Sequence, residues 1–343
     1  MISEKKLKEI RDYIEKSENP LVLYDDDPDG LCSYLIFKKM KEHAKGIIIK
    51  SSPVLDELYL KKVEEISPDM IFVFDKPIIS QDFIDQIHVP IIWLDHHPLV
   101  ERKGVHYYNP RQEDEKDNSP ASYWVYNIYK NKELMWLAAI GSVADWYVPD
   151  FLEEFKKNYP NLIDKQKTPD KILFESRFGE LVRVFAFLLK GKSLDIRKNI
   201  AVILKLKDPY EILDQTTSKG KFLYNRYLRV KKQYDELLQQ AQKAVISKKI
   251  LLFLYPSVKM SFTAELSNEL LYKNPDKLII IGREKGDEVK LSFRSAKLIL
   301  PPIIEKALIN VKGYGGGHDH AAGGNVSKDD FQTFIDNIKN QIE

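Results

Sequence analysis

Short apolar runs alternate with amphipathic stretches through the first hundred residues. Residues 5–16 have the spacing of a surface helix. The pattern then predicts strand 21–25, helix 31–43, strand 46–50, helix 55–66, strand 70–75, helix 80–87 and strand 90–95. Strands that alternate with helices in this way form a parallel sheet covered by helices. An apolar helix is predicted over Glu133–Trp146, and residues 150–210 are mostly helical in pattern. A long helical stretch without proline runs from Lys219 to Lys249. Beyond it the runs ILLFLYP, KLIIIGR and EVKLSFRS read as strands, with helices over 262–273, 302–310 and 328–342. The expected fold is α/β: an N-terminal parallel-sheet domain (1–215), a connecting helix (216–248) and a smaller C-terminal α/β domain (249–343).

Parallel sheets take their ligands beyond the carboxyl ends of the strands. Three predicted strand ends are acidic or carry histidine. The first is LVLYDDDPDG, where alternation along an extended chain puts Asp25, Asp27 and Asp29 on one face and Asp26 on the other. A one-residue slip in register would exchange them. Taken alone, the stretch reads equally as an acidic turn, since Asp, Pro and Gly are turn residues. The second end is MIFVFD, closing on Asp75. The third is VPIIWLDHHP, with Asp95, His96 and His97. A fourth carboxylate, Asp145, sits among small residues in LAAIGSVADW. Buried carboxylates that converge repel one another and stay ionised together only around a cation.

Composition narrows the classes. The 343 residues suit about two domains, by a prior of roughly 100–200 residues each. Formal net charge is +2, which argues against a generally polycationic nucleic-acid binder while allowing local basic faces. The 219–249 stretch is one such face, with nine Lys and Arg against Asp235 and Glu236. Tyr224, Tyr227 and Tyr234 among them offer base stacking or simple packing. Cys32 is the only cysteine, so no intrachain disulfide or cysteine-rich zinc site is possible, and it is expected to pack. The N-terminal pattern lacks the apolar core of a signal peptide, and no apolar run approaches the ~18 residues of a membrane span. A cytoplasmic protein without membrane contact is expected.

The candidate ligands are therefore Asp25, Asp27, Asp29, Asp75, His96 and Asp145. Carboxylates with one imidazole suit Mn²⁺ or Mg²⁺ better than Zn²⁺. So many ligands point to two ions, with Asp75 on a middle strand as the bridge and hydrolysis of a phosphate ester as the chemistry.

Taken together, DDDPDG, Asp75, LDHHP, GSVADW, SFRS and GYGGGHDHAAGG resemble the DHH phosphoesterase superfamily over nearly the whole chain, the last two segments resembling its DHHA1 domain. The resemblance implies a two-manganese N-terminal domain, a C-terminal substrate domain and an active cleft between them. It assigns metal binding to the six residues above and phosphate contact or acid help to His97. Arg294, with Ser295 in the same motif, would grip substrate phosphate. Gly315, Gly316, Gly317 and His318 match the family's glycine-rich substrate loop, and His320 is extra, with a surface role expected. Many relatives carry His where Asp25 stands.

Asp75, His96 and His97 are then the expected catalytic residues of a Mn²⁺-dependent enzyme. The first reading is a single-strand-specific exonuclease of DNA or RNA, of archaeal RecJ-like type. The second is a hydrolase of very short oligonucleotides or a phosphoadenosine phosphatase, of NrnA type. The third is a nuclease-inactive scaffold. Expected partners are single-stranded nucleic acid or a short oligonucleotide, and a helicase or a replication or repair protein.

Overall fold

The computed structural model describes residues 1–50, 53–244, 247–257 and 260–342. The chain divides into two compact units, Met1–Leu189 with Leu194–Tyr224, and Lys190–Ser193 with Asn225–Glu343.

In the first unit, helix α1 (Glu4–Lys16) leads into strand β1 (Pro20–Asp25), helix α2 (Pro28–Met40) and strand β2 (Lys45–Ile49). There follow β3 (Val54–Leu55), α3 (Leu60–Ile66), β4 (Met70–Phe74), β5 (Ile78–Ile79), α4 (Gln81–Asp85), β6 (Ile91–Leu94) and β7 (His106–Tyr108). Helices α5 (Ala121–Tyr129) and α6 (Met135–Ala144) come next. Five of the strands form a parallel sheet in the order β2-β1-β4-β6-β7. The unbroken apolar runs of β1, β4 and β6 are explained by burial on both faces. Leu21, Leu23, Ile71, Val73, Ile91 and Trp93 pack on one side with Leu55, Val63 and Phe83. On the other side Phe37 of α2 meets Phe72 and Phe74, and Tyr34 stacks on Tyr24 at 4.6 Å. The chain leaves β1 for β2 on one side and then crosses to β4 on the other. That reversal opens a crevice at the carboxyl ends of β1 and β4.

Several boundaries differ from expectation for identifiable reasons. Helix α2 starts at Pro28 rather than 31, because Asp27 caps it by accepting from the Gly30 N–H (2.9 Å) and proline suits the first turn. The helix expected over 55–66 breaks into a 3₁₀ turn, capped by Asp56, and the shorter α3. Strands β3 and β5 make a separate two-stranded parallel pair. Neither β7 nor α5 was anticipated.

Helices α7 (Leu152–Asn158), α8 (Pro169–Glu175), α9 (Arg177–Leu188), α10 (Ser193–Ile203) and α11 (Tyr210–Leu213) fill the stretch read as helical. The long helix α12 (Ser218–Lys243) stops short of Lys249, and Val245 and Ile246 lie outside the described residues. The units part inside it, between Tyr224 and Asn225, whereas breaks were expected at 215 and 248. Lys219, Lys221, Arg229, Lys232 and Lys243 are exposed along it. Stacking of bases on its tyrosines does not hold for Tyr227 and Tyr234, which are fully buried core residues. The Tyr234 hydroxyl donates to Glu269 (2.7 Å), and the half-buried Tyr224 donates to Glu180 (2.8 Å).

The second unit holds β8 (Ile250–Pro256), α13 (Thr263–Lys273), β9 (Leu278–Lys285), β10 (Glu288–Arg294), α14 (Leu300–Ala307), β11 (Gly313–His318), β12 (Ala321–Ser327) and α15 (Phe331–Ile342). Its sheet runs β11-β12-β10-β9-β8, parallel only between β8 and β9. The stretch expected as a glycine-rich loop is instead an exposed edge strand, β11. Its glycines pair with the glycines of β12, Gly315 with Gly324 and Gly316 with Gly323, so two narrow ribbons close into a hairpin. Gly315 also lies against α14, where a Cβ would come within 2.8 Å of Ile304.

Helices α5 and α6 touch at Gly141, where a Cβ would lie 2.3 Å from the Ser122 hydroxyl and 3.0 Å from an Asp29 oxygen. Gly141→Ala should therefore cost about 1–3 kcal/mol of stability, seen as a lower urea midpoint. An unchanged midpoint would mean that this crossing can open without cost.

Candidate metal centre

The first residue beyond β4 is Asp75, and its backbone is left-handed (φ 57°). Asp accepts that conformation more readily than most residues. Its N–H still donates to the Leu94 carbonyl (3.1 Å), so the side chain is aimed while the strand stays paired. Beyond β6, the Asp95 N–H donates to the Tyr108 carbonyl in the same way (3.1 Å), and His96 and His97 follow. Asp145 caps the C-terminal end of α6, and the chain turns away through Trp146, also left-handed (φ 59°).

These elements bring most of the predicted ligands together. Asp25, Asp27 and Asp75 present ligand atoms within 4.8 Å of one another, and so do Asp75, His96 and His97. Asp75 belongs to both groups. The Nε2 of His96 lies 3.3 Å from Asp75 Oδ1 and 3.1 Å from Asp145 Oδ2. Its Nδ1 lies 3.2 Å from the Asn118 carbonyl, which can only accept. That contact puts the proton of the neutral ring on Nδ1 and leaves a lone pair on Nε2, facing two carboxylates. Both His96 Nε2 and Asp75 Oδ2 are buried without a hydrogen bond. A cation among them removes the conflict, and this donor set fits Mn²⁺ or Mg²⁺.

The electrostatics point the same way. Burial, and then the charges of Asp25, Asp29 and Asp145, push the Asp27 carboxyl up to about 7. Burial, and then the charges of Asp27, Asp29, Asp25 and Asp145, hold Asp75 well above the ordinary carboxylate range. Asp29 rises to about 6, through burial and the charge of Asp145. Burial works against protonation of His97, but its hydrogen bond to Asp95 and the nearby carboxylates raise it overall.

Other predicted residues take distinct places. Asp29 lies beside the cluster, with its two oxygens accepting from the N–H groups of Ala121 (2.8 Å) and Ser122 (3.0 Å) at the start of α5. A carboxylate at a helix N-terminus is favourable in itself. Asp26 stands opposite, 3.8 Å from Lys50 Nζ. Cys32 is buried, and burial pushes its thiol up, away from reactivity. In the second unit, Arg294 ends β10 and donates from Nε to Asn268 (2.7 Å) and from Nη1 to the Phe293 carbonyl (2.8 Å). Burial lowers this guanidinium to about 10. The Ser295 hydroxyl oxygen accepts from the N–H groups of Lys297 and Leu298, holding the turn after β10. Gly315, Gly316, Gly317 and His318 are exposed on the edge strand, and His320 is exposed at the hairpin.

Two residues were missed from the sequence. Asp95 is fully buried and accepts from His97 Nδ1 (2.8 Å). Its place in LDHHP was visible, but its partner was not. Lys76 is also fully buried, with Nζ 2.7 Å from Asp25 Oδ1. Nothing in the sequence around it marks a lysine turned inward.

Residues 235–343 match the DHHA1 domain family. The fold is similar to that of RecJ from Thermus thermophilus in complex with Mn²⁺, at TM-score 0.68 and 14% identity over 98% of this chain. The chain spans about half, 54%, of that RecJ. It is similar to an exonuclease RecJ bound to manganese (TM-score 0.66, 14% identity, 98% of this chain and 94% of the other). It is also similar to a pGpG-specific phosphodiesterase, PggH, from Vibrio (TM-score 0.52, 13% identity, 95% and 99%). A comparison with curated proteins gives no match. The C-terminal part is thus a DHHA1 domain, on a chain with the fold of the DHH/DHHA1 phosphoesterase superfamily.

Asp27, Asp29 and Asp75 titrate higher in the folded chain than at the ordinary 3.8. Groups raised in this way add stability that is whole below about pH 4 and is lost as pH rises through about 6 and 7. Metal-free protein should therefore lose melting temperature between pH 4 and 7.5. Mn²⁺ should restore it, by at least about 5 °C at pH 7.5 and progressively less towards pH 4. A melting temperature indifferent to Mn²⁺ at every pH would remove the metal centre.

Proposed function

We propose that this chain, with the DHH/DHHA1 fold, is a Mn²⁺-dependent phosphodiesterase that digests single-stranded nucleic acid from an end. The observation that carries this reading is the His96 Nε2 lone pair facing Asp75 and Asp145. A ring nitrogen and two carboxylates converging in this way suit a divalent cation between them. Likeness to manganese-bound RecJ supports the class of reaction. The exposed lysines and arginine of α12 suit a sugar-phosphate backbone.

Asp75, His96 and Asp145, with Asp27 beside them, are the residues that would hold metal. A divalent ion held there would supply activation of a water and neutralisation of charge on the phosphate oxygens. His97, raised in pKa and held by Asp95, is suited to give a proton to the departing oxygen. Arg294 keeps Nη2 free of hydrogen bonds among the described residues and suits a phosphate oxygen.

A second reading is a hydrolase of very short oligonucleotides, favoured by the likeness to a pGpG-specific enzyme. Substrate length separates the two. With Mn²⁺, end-labelled single strands of 20 or more nucleotides should be degraded to mononucleotides, and a chelator should stop this. Digestion confined to strands of a few nucleotides would establish the second reading. Asp75→Ala should reduce turnover by at least about 100-fold with the circular dichroism spectrum unchanged. Near-normal turnover would remove Asp75 from the reaction. Arg294→Ala should raise KM roughly 10-fold or more while Mn²⁺ affinity stays the same. Equal loss of Mn²⁺ affinity would contradict the assignment to substrate.

A further inference from the structure

Among the described residues, Lys76 is the one buried lysine or arginine. It follows Asp75, whose left-handed backbone turns the chain at the site. Its Nζ ends 2.7 Å from Asp25 Oδ1, within the group formed by Asp25, Asp27 and Asp75. The two halves of the centre are therefore unequal. The Asp25 half already contains a protein cation. In the other half, His96 Nε2 and Asp75 Oδ2 are buried with no hydrogen-bond partner.

A metal ion bound to the same Asp25 oxygen, at about 2.1 Å, would lie within about 5 Å of the ammonium. The ammonium already holds that carboxylate oxygen, so it competes with the ion for it and repels it as well. The ammonium cannot withdraw to solvent, because its side chain has no exposed surface. We infer that Lys76 takes the place of one of the two ions expected from the ligand count. The centre then holds a single tightly bound divalent ion at Asp75, His96 and Asp145, and Lys76 supplies the positive charge on the Asp25 side. This rests on the metal-centre reading above and changes its stoichiometry. A lysine offers a fixed point charge whatever the metal concentration, but it cannot activate a water as an ion does.

The test is calorimetric titration of the metal-free full chain with Mn²⁺ at pH 7.5, with electron paramagnetic resonance of the loaded protein. One tight Mn²⁺ per chain is expected, with the spectrum of an isolated ion. Lys76→Met, which keeps the length of the side chain without its charge, should admit a second Mn²⁺ and show the exchange coupling of ions roughly 3.5–4 Å apart. Two tight ions in the unaltered protein would overturn the inference while leaving the metal centre standing. A folded Lys76→Met variant that still binds one ion would overturn it as well. Absence of any Mn²⁺ binding would remove the metal centre and this inference with it. Should Lys76→Met not fold, the stoichiometry of the unaltered protein decides alone.

Discussion

Repulsion between carboxylates that the backbone does not allow to separate is the constraint on which the rest of this molecule turns. Asp25 and Asp75 close adjacent parallel strands whose register is fixed from Pro20 to Tyr24 and from Met70 to Phe74. Asp145 is delivered by a helix whose contact at Gly141 leaves no room for a methyl group. The backbone positions that carry these groups are therefore fixed. Three outlets remain: a carboxyl can keep its proton, a protein cation can be brought in, or a metal ion can bind. The structure shows signs of the first in the raised Asp27 and Asp75, and of the second in Lys76. The third is left for the side where the unpaired imidazole nitrogen lies.

Such a concentration of charge needs a rigid support. Parallel strands buried on both faces provide it, because their alternate side chains lock into separate layers. The odd-numbered residues of β1 and β4 pack with α3 and α4, and the even-numbered residues meet the aromatic face of α2. Asp27 links support and site, since the carboxylate that caps α2 also belongs to the acidic group. Capping fixes its position, and burial together with the cluster raises its pKa. Stability and site chemistry therefore act on the same side chain.

The parts of this arrangement that were legible in the sequence are those carried by local pattern. Apolar runs ending in Asp25, Asp75 and Asp95-His96-His97 marked both the strands and the ends whose side chains meet. Alternation within the DDD run gave the opposed orientation of Asp26. What escaped the sequence depends on contacts between distant segments. Helix α5 starts where Asp29 accepts two of its N–H groups, so its N-terminal partner lies 92 residues away. The glycine-rich stretch looked like a loop because glycine is a poor strand former. It is a strand because it pairs with a second glycine-rich stretch that can approach as closely. Nothing local in the sequence marks Lys76 for burial, and it follows directly on the left-handed turn at Asp75.

His96 and His97 are adjacent and chemically identical, yet the fold separates their properties through one atom each. At His96 the Nδ1 position meets a neutral backbone carbonyl, which can only accept and so fixes a ring proton there. The free nitrogen is then a donor of electrons. At His97 the Nδ1 position meets the buried Asp95 carboxylate, which also accepts from the His97 backbone N–H (3.0 Å) and from the Asn109 amide. A charged partner stabilises the doubly protonated ring, in which Nδ1–H is held by Asp95 and Nε2 carries the other proton. The two rings thus differ through a carbonyl at one residue and a carboxylate at the next, and the sequence pair His-His carries no hint of the difference.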